Sequence, residues 1–293
     1  MVNYAQLEGI HSLTAAIIFA IIYVPLLAFY LFKSVRRPTY VHLVLSFFCL
    51  VRIVAFSLRA ALAGSTSAGS NLNLYIAAQI LYNVGFFGVL YSSYTLVLDR
   101  ELLADTDGVL AYAPGPVRLV VRISRDRHLI RIILLVAIVL GIVGATKISS
   151  GSSAATINSG ETLRSSSIYI FISVASLLAF QTIVLAISDI KSPRYAAGDS
   201  GYGFQASFGA KYGVFVLLIV SILLLLREAF FAATAHNLSQ QNNEHLWYPL
   251  AALSELLAVM LIGVPGLVPA RSELPKQESI GMVRRFVGRG NDA

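Results

Sequence analysis

Seven long apolar segments, separated by polar stretches, constrain the fold of this chain more than any other feature of its sequence. An α-helix needs about 20 apolar residues to cross the hydrocarbon core of a bilayer, and each segment reaches that length. The stretches between them are polar or rich in Gly, Ser and Pro. The pattern therefore predicts an all-α fold, a bundle of seven transmembrane helices at about 11–32, 41–63, 74–98, 128–148, 166–188, 211–233 and 247–268.

The composition agrees with a protein whose solvent is a bilayer. Of the 293 residues 57% are hydrophobic and only 13% are charged, whereas a soluble domain carries about 25% charged residues. Mean hydropathy is +0.74. The net charge of +7 has a better explanation in membrane topology than in nucleic acid binding. We predict a multi-pass protein of the plasma membrane or an endomembrane, with membrane lipids and no nucleic acid among its partners.

The distribution of basic residues predicts how the helices are oriented. With seven spans, 17 of the 22 Lys and Arg residues fall on one side, and only Lys147 and Arg164 fall on the other. Cytoplasmic loops carry the excess of Lys and Arg, so the N-terminus is expected outside and the C-terminus in the cytoplasm. The transmembrane domain would cover residues 1–270, followed by a basic cytoplasmic tail at 271–293. Asn237, in an N-x-S sequence on the predicted outer side, is a glycosylation candidate.

The second apolar segment contains two arginines, Arg52 and Arg59, which lie seven residues apart. Seven residues make about two helical turns, so both side chains leave the same face of the helix. An uncompensated charge at the centre of a bilayer costs about 2.5–3.5 kcal/mol on insertion scales. This face is therefore predicted to point into the bundle, where Glu or amide partners from other helices compensate the charges.

Other polar side chains fall in the third, sixth and seventh segments. At 1.5 Å per residue, most of them lie in the predicted outer half of the membrane. Residues adjacent in sequence do not share a helical face, so Glu228 does not have to pair with Arg227. No two carboxylates are expected at a shared depth. The predicted polar core or ligand site comprises Arg52, Arg59, Gln79, Asn83, Arg227, Glu228, Tyr248 and Glu255.

Two interpretations of this polar core remain open. It is either an interhelical network that holds the helices together or a polar cavity, open to the outer side, that binds a ligand. Arginine forks suit phosphate and carboxylate groups, so the ligand would be a small amphipathic or anionic molecule. Arg52 and Arg59 would hold its polar head. The site would be completed by Gln79, Asn83, Arg227 and Glu255.

Sequence motifs give no support for a metal or a cofactor. His236, Glu244 and His245 share one outer loop, but their spacing matches no tight metal motif and predicts a solvated loop. Trp247 and Tyr248, which follow them, are expected to form an interfacial aromatic anchor. No GxxxxGKS, GxGxxG, HExxH or CxxC pattern occurs, so no catalytic residue, metal or cofactor is predicted.

Three stretches carry a resemblance to known proteins: "LVRIVAFSLRAA", "LLLLREAFFAATAHN" and "YPLAALSELLAVMLIGVPGLVP". They resemble a family of uncharacterised fungal seven-helix membrane proteins and, more distantly, the fungal lipid-translocating exporter (RTA-like) family. The resemblance implies a seven-helix fold and places Arg52, Arg227 and Glu255 in the polar core of the family.

The leading functional hypothesis is a fungal membrane protein that binds or translocates a lipid-like or amphipathic small molecule. The first alternative is a seven-helix receptor or sensor that uses the same pocket, with the cytoplasmic basic loops as its output. The second is an intramembrane enzyme, such as a cyclase with Glu255 or Asp189 as its acid.

Overall fold

A computed structural model describes residues 3–7, 9–103, 126–150, 153–191 and 208–269. Within those ranges the chain contains helices, turns and no strand. Seven helices are long and apolar enough to cross a membrane, which confirms the all-α, seven-helix prediction. They are α1 (Leu13–Arg36), α2 (Tyr40–Gly64), α3 (Leu72–Leu103), α4 (Arg127–Ser150), α5 (Ala154–Lys191), α6 (Phe208–Ala233) and α7 (Glu244–Ile262).

The outer surface of the bundle is apolar. The side chains of Ile21, Val35, Phe47 and Ile132 are each more than half exposed, although all four are large hydrocarbons. An apolar surface spread over several helices marks a face that meets lipid, since soluble monomers rarely expose large apolar patches. The length of the helices and this surface together indicate a multi-pass integral membrane protein.

Most helices extend beyond the apolar segments that predicted them, and α5 and α3 extend furthest. Helix α5 begins at Ala154 instead of residue 166, and α3 continues to Leu103. Hydropathy marks the part of a helix that can cross a bilayer, whereas the hydrogen-bonded helix can continue outside it. The early start of α5 places Arg164 inside a helix instead of in a loop, which corrects the prediction for that residue.

The start of α7 is not a regular α-helix. One α-helical turn, Glu244–Trp247, is followed by a π-helical stretch at Tyr248–Leu253 and then by α-helix from Ser254. A π-helical turn is wider than an α-helical turn and is frequent at functional sites. This widened stretch comes immediately before Ser254 and Glu255, which begin the α-helical part of α7.

We call the end of the bundle that carries the N-terminus the N-terminal face, and the other end the opposite face. At the opposite face, Nη2 of Arg100 lies 2.9 Å from the carbonyl oxygen of Gly209, 2.6 Å from that of Gly266 and 3.0 Å from that of Leu267. Arg127 donates to Asp99 at 2.5 Å. These contacts join the end of α3 to α4, α6 and the segment after α7.

Several predictions fall on parts of the chain outside the described residues. They are the basic loop residues between 104 and 125 and the cytoplasmic tail at 271–293. The assignment of the N-terminal face to the outer side of the membrane stays a prediction.

Candidate functional site

Arg52 is completely buried in the bundle, as its position on α2 predicted. Its Nε donates to Oε1 of Glu255 at 2.7 Å, its Nη2 donates to the same oxygen, and its Nη1 donates to the backbone oxygen of Tyr82 at 2.8 Å. The guanidinium lies 4.0 Å from the centroid of the Tyr82 ring. Gly85 leaves room for it, because a Cβ there would lie 3.2 Å from Nη1. All three nitrogens of Arg52 therefore have hydrogen-bond partners within the bundle.

Glu255 joins Arg52 to a second arginine. While its Oε1 accepts from Arg52, its Oε2 accepts from Nε of Arg227 at 3.1 Å. Arg227 in turn donates from Nη1 to Glu228. We call these four residues the buried ion cluster, since each is at most 2% exposed. Two positive and two negative charges make the cluster neutral, and removal of one partner from a buried pair is strongly destabilising.

The pairing of Arg227 with Glu228 was not expected from the sequence. Helical-wheel reasoning follows the direction in which side chains leave the backbone, and neighbouring residues leave it in different directions. The long side chain of Arg227 nevertheless brings its guanidinium to the Glu228 carboxylate. Arg227 also brings Glu228 and Glu255 to a shared depth, which contradicts the expectation that no two carboxylates meet. Where few water molecules screen the charges, one guanidinium can stabilise both carboxylates by electrostatic attraction.

Arg59, two turns nearer the N-terminal face, has its own partners. Its guanidinium lies 3.9 Å from the centroid of the Trp247 ring, and its Nη2 lies 3.6 Å from Oε1 of Glu244. Glu244 also accepts from the backbone N–H groups of His11 at 3.1 Å and Ser12 at 2.8 Å. Glu244 is therefore part of the folded bundle, and the prediction of a solvated loop is wrong for this residue.

Two aromatic residues at the start of α7 differ in their positions. Trp247 is 3% exposed and its ring centroid lies 4.8 Å from that of Tyr82, so the prediction of an interfacial anchor is wrong. Tyr248 is partly buried and stacks on Phe19 of α1 with 5.4 Å between ring centroids. Tyr248 thus packs between α7 and α1, and its ring lies 5.5 Å from the Arg59 guanidinium.

A cavity of about 380 Å³ lies between α3, α4, α5 and α6, and we call it the α3–α6 cavity. On α3 it extends from Leu72, at the N-terminal face, to Phe86, which at 1.5 Å per residue is roughly 20 Å. Arg227 and Glu228 line its deep end, where the Phe86 ring centroid lies 3.8 Å from the Arg227 guanidinium. Its walls include Ile76, Ala145, Ile168, Phe171 and Phe231.

The end of the α3–α6 cavity at the N-terminal face has polar side chains. Arg164 donates to Oε1 of Gln241, and both residues line the cavity. Asn83 and Gln79 line it at intermediate depth. The cavity therefore has charged groups at its deep end and towards the N-terminal face, and mostly apolar or aromatic groups with two amide side chains between them.

A much smaller cavity, of about 20 Å³, lies beside Arg59 and Trp247. This volume is close to that occupied by one water molecule. Gln79 and Tyr75 line both cavities, and Gln79 donates to Oδ1 of Asn242 at 3.3 Å. These residues separate the small cavity from the α3–α6 cavity.

Seven of the eight predicted site residues fall into two groups in the structure, and Tyr248 belongs to neither. Arg52 and Glu255 belong to the buried ion cluster but line neither cavity. Both oxygens of Glu255 accept from arginines, so its position does not favour the role of a cyclase acid. The predicted residues that line a cavity are Arg59 in the small one, Asn83, Arg227 and Glu228 in the α3–α6 cavity, and Gln79 in both.

Sequence reasoning missed several residues of the α3–α6 cavity. Phe86 could have been found, since it follows Gln79 by seven residues and Asn83 by three, on one helical stripe. Arg164 was missed because the start of α5 was placed too late. Phe171 carried no signal that distinguished it from other core residues.

The remaining predictions concern glycosylation and metal binding. Asn237 is exposed at the N-terminal face, where its Oδ1 accepts from the backbone N–H of Gln240 at 3.1 Å. Its position is compatible with glycosylation, which stays a prediction. Across the described part of the chain, no three His, Cys, Asp or Glu side chains are grouped closely enough to hold a metal ion.

No family model, curated protein or solved structure matches the chain. The resemblance to fungal seven-helix proteins accordingly stays a prediction.

Proposed function

We propose that this integral membrane protein binds or translocates a lipid-like or amphipathic small molecule, which occupies the α3–α6 cavity. The observation that carries the proposal is the distribution of polarity in that cavity. The cavity extends for roughly 20 Å along α3, and its walls are largely apolar and aromatic, with Gln79 and Asn83 among them. The Arg227–Glu228 pair lies at its deep end, and the Arg164–Gln241 pair lies nearer the N-terminal face. A volume of about 380 Å³ falls in the range of small-molecule sites.

Burial of the apolar body would supply most of the affinity. Each Å² of apolar surface removed from water contributes about 25 cal/mol, so a hydrocarbon chain in contact with Ile76, Ile168 and Phe171 is strongly favoured over the same chain in water. The polar ends would then fix the orientation of the molecule. In this proposal Arg52 does not touch the ligand. It positions Glu255 and, through it, Arg227.

The test is a binding measurement on purified protein in lipid nanodiscs, with empty nanodiscs as background. The probes are radiolabelled dodecanol, dodecylamine and dodecanesulfonate. Ala145→Trp places an indole in the cavity wall, and we expect it to weaken binding of the best probe at least tenfold. Val143→Trp is the matched control, because Val143 lies in the same helix and is 38% exposed on its outer surface. It should bind as the wild type does.

Two outcomes would overturn the proposal. One is the absence of saturable binding by any of the three probes to the wild type. The other is equal affinity of the Ala145→Trp and Val143→Trp variants, which would place the bound probe outside the α3–α6 cavity.

A receptor or sensor is a second candidate, and the contacts at the opposite face favour it. Arg100 contacts three carbonyl oxygens there, and Asp99 pairs with Arg127, so the described ends of α3, α4 and α6 are held together. Release of these contacts on ligand binding would carry a signal across the membrane. Saturable binding without probe flux across proteoliposome membranes would favour the receptor, whereas flux that Ala145→Trp abolishes would favour translocation.

A further inference from the structure

We infer that the α3–α6 cavity selects a ligand whose deep end is an uncharged hydroxyl-type group, able both to donate and to accept a hydrogen bond, over a carboxylate-type anion or an ammonium ion. The inference rests on the proposed function and names the ligand class for the same cavity. It differs from the anionic head expected from the sequence, where three arginines outnumbered the acidic residues assigned to the spans.

The charges at the deep end of the cavity are balanced. Arg227 and Glu228 line the deep end, and both belong to the neutral buried ion cluster. An anion at this depth would be repelled by the carboxylate of Glu228, and a cation would be repelled by the guanidinium of Arg227. Either ion would also leave a net charge in a region with little water, and uncompensated burial of charge is costly.

Both a hydrogen-bond donor and hydrogen-bond acceptors remain unused at the deep end. Arg227 uses Nε and Nη1 for carboxylates, but its buried Nη2 has no hydrogen-bond partner among the described residues. The Glu228 carboxylate can accept about four hydrogen bonds and receives one from Arg227. A hydroxyl group carries both a hydrogen that Glu228 can accept and lone pairs that Nη2 of Arg227 can donate to. An ammonium ion cannot accept, and a sulfonate or carboxylate cannot donate.

The other two arginines of the bundle, Arg52 and Arg59, would attract an anion only if their charges were uncompensated. Arg52 is compensated by Glu255, and Arg59 lies 3.6 Å from Glu244. Neither lines the α3–α6 cavity. The guanidinium of Arg227 is also covered by the rings of Phe86 and Phe231, with distances of 3.8 and 4.6 Å to their centroids. The guanidinium of Arg227 is therefore packed against two aromatic rings.

The experiment compares three probes with the same hydrocarbon chain in wild-type protein in nanodiscs. Dodecanol has an uncharged hydroxyl, dodecanesulfonate stays anionic and dodecylamine is protonated at neutral pH. We expect dodecanol to bind at least tenfold more tightly than either ion. Glu228→Gln preserves the side-chain size but leaves the cluster with one excess positive charge. This variant should shift the ratio of sulfonate to dodecanol affinity at least tenfold towards the sulfonate.

Glu161→Gln is the control, since Glu161 is exposed on α5 and the same charge is removed without a change in the cavity. It should keep the wild-type order of affinities. The inference is overturned if either ion binds the wild type as tightly as dodecanol, or if Glu228→Gln and Glu161→Gln give the same ratio. If Glu228→Gln does not fold, the inference is tested by the order in which the wild type binds the three probes. Absence of binding by all three probes would overturn the proposed function instead.

Discussion

Glu255→Gln tests the buried ion cluster most directly, because Glu255 accepts hydrogen bonds from two buried arginines. Glutamine has nearly the same size and keeps one oxygen acceptor, so packing around α7 changes little. The cluster, however, changes from neutral to a net charge of one, and Arg52 is left without a carboxylate partner. Since Arg52 is completely buried, water cannot replace that partner.

The expected loss follows from the energetics of buried ion pairs. Removing one partner of a buried pair costs about 3–5 kcal/mol, and we expect Glu255→Gln to fall in this range. Arg52→Gln should cost a similar amount, because Glu255 then keeps only its contact with Arg227. The double variant restores neutrality, since one charge of each sign is gone. Its loss should therefore be smaller than the sum of the single losses by about 2 kcal/mol, within the usual range of coupling between contacting residues.

The free energy of unfolding can be measured in bicelles by titration with a denaturing detergent. Fluorescence of Trp247, the single tryptophan of the chain, reports the transition. Arg36→Gln is the control, because Arg36 is exposed at the end of α1 and lies over the Phe32 ring at 4.4 Å. It should lose no more than about 1 kcal/mol. Additivity of Glu255→Gln and Arg52→Gln within about 0.5 kcal/mol would refute the coupling through the cluster.

Three further predictions concern other parts of the bundle. Arg59→Leu removes the cation stacked 3.9 Å from Trp247, so acrylamide should quench the tryptophan more strongly in this variant; unchanged quenching would contradict the stacking. Arg100→Gln removes the charge-assisted hydrogen bond to the carbonyl oxygen of Gly209. Amide hydrogen exchange in the first turn of α6 should therefore accelerate about tenfold, and unchanged exchange would contradict the prediction. Asn237→Cys should react with a membrane-impermeant maleimide in intact cells, whereas Arg36→Cys should not; the reverse pattern would invert the predicted orientation.

The helices and the direction of Arg52 could be predicted because both depend on local sequence. Hydropathy over about 20 residues decides whether a segment can cross a bilayer, and a spacing of seven decides that Arg52 and Arg59 share a face. The start of α5 at Ala154 could not be predicted in this way. There the helix continues where Gly144 and Gly160 let α4 and α5 approach closely: a Cβ at Gly144 would lie 2.8 Å from backbone atoms of α5.

The site could be predicted as a set of residues but not as an arrangement. Seven of the eight predicted residues lie in the buried ion cluster or line a cavity, since ionisable or amide groups within a membrane have few other stable places. The sequence alone could not show whether Arg52 and Arg59 are placed to bind the polar head group of a ligand. In the structure Arg52 lines no described cavity, and Arg59 faces only the small one.

The sequence by itself determined that the chain forms seven apolar helices with charged side chains directed inwards. The reason is that each charged side chain exposed to the hydrocarbon core of a bilayer costs free energy, whatever the rest of the fold. Only the tertiary structure decided which charges meet. Glu255 lies 203 positions from Arg52 along the chain, and their contact depends on how α2 and α7 pack together. That packing makes the cluster neutral and leaves a cavity lined by Arg227 and Glu228. A neutral cluster favours a different ligand from the anionic one that the three arginines suggested, and this difference is absent from any local pattern of residues.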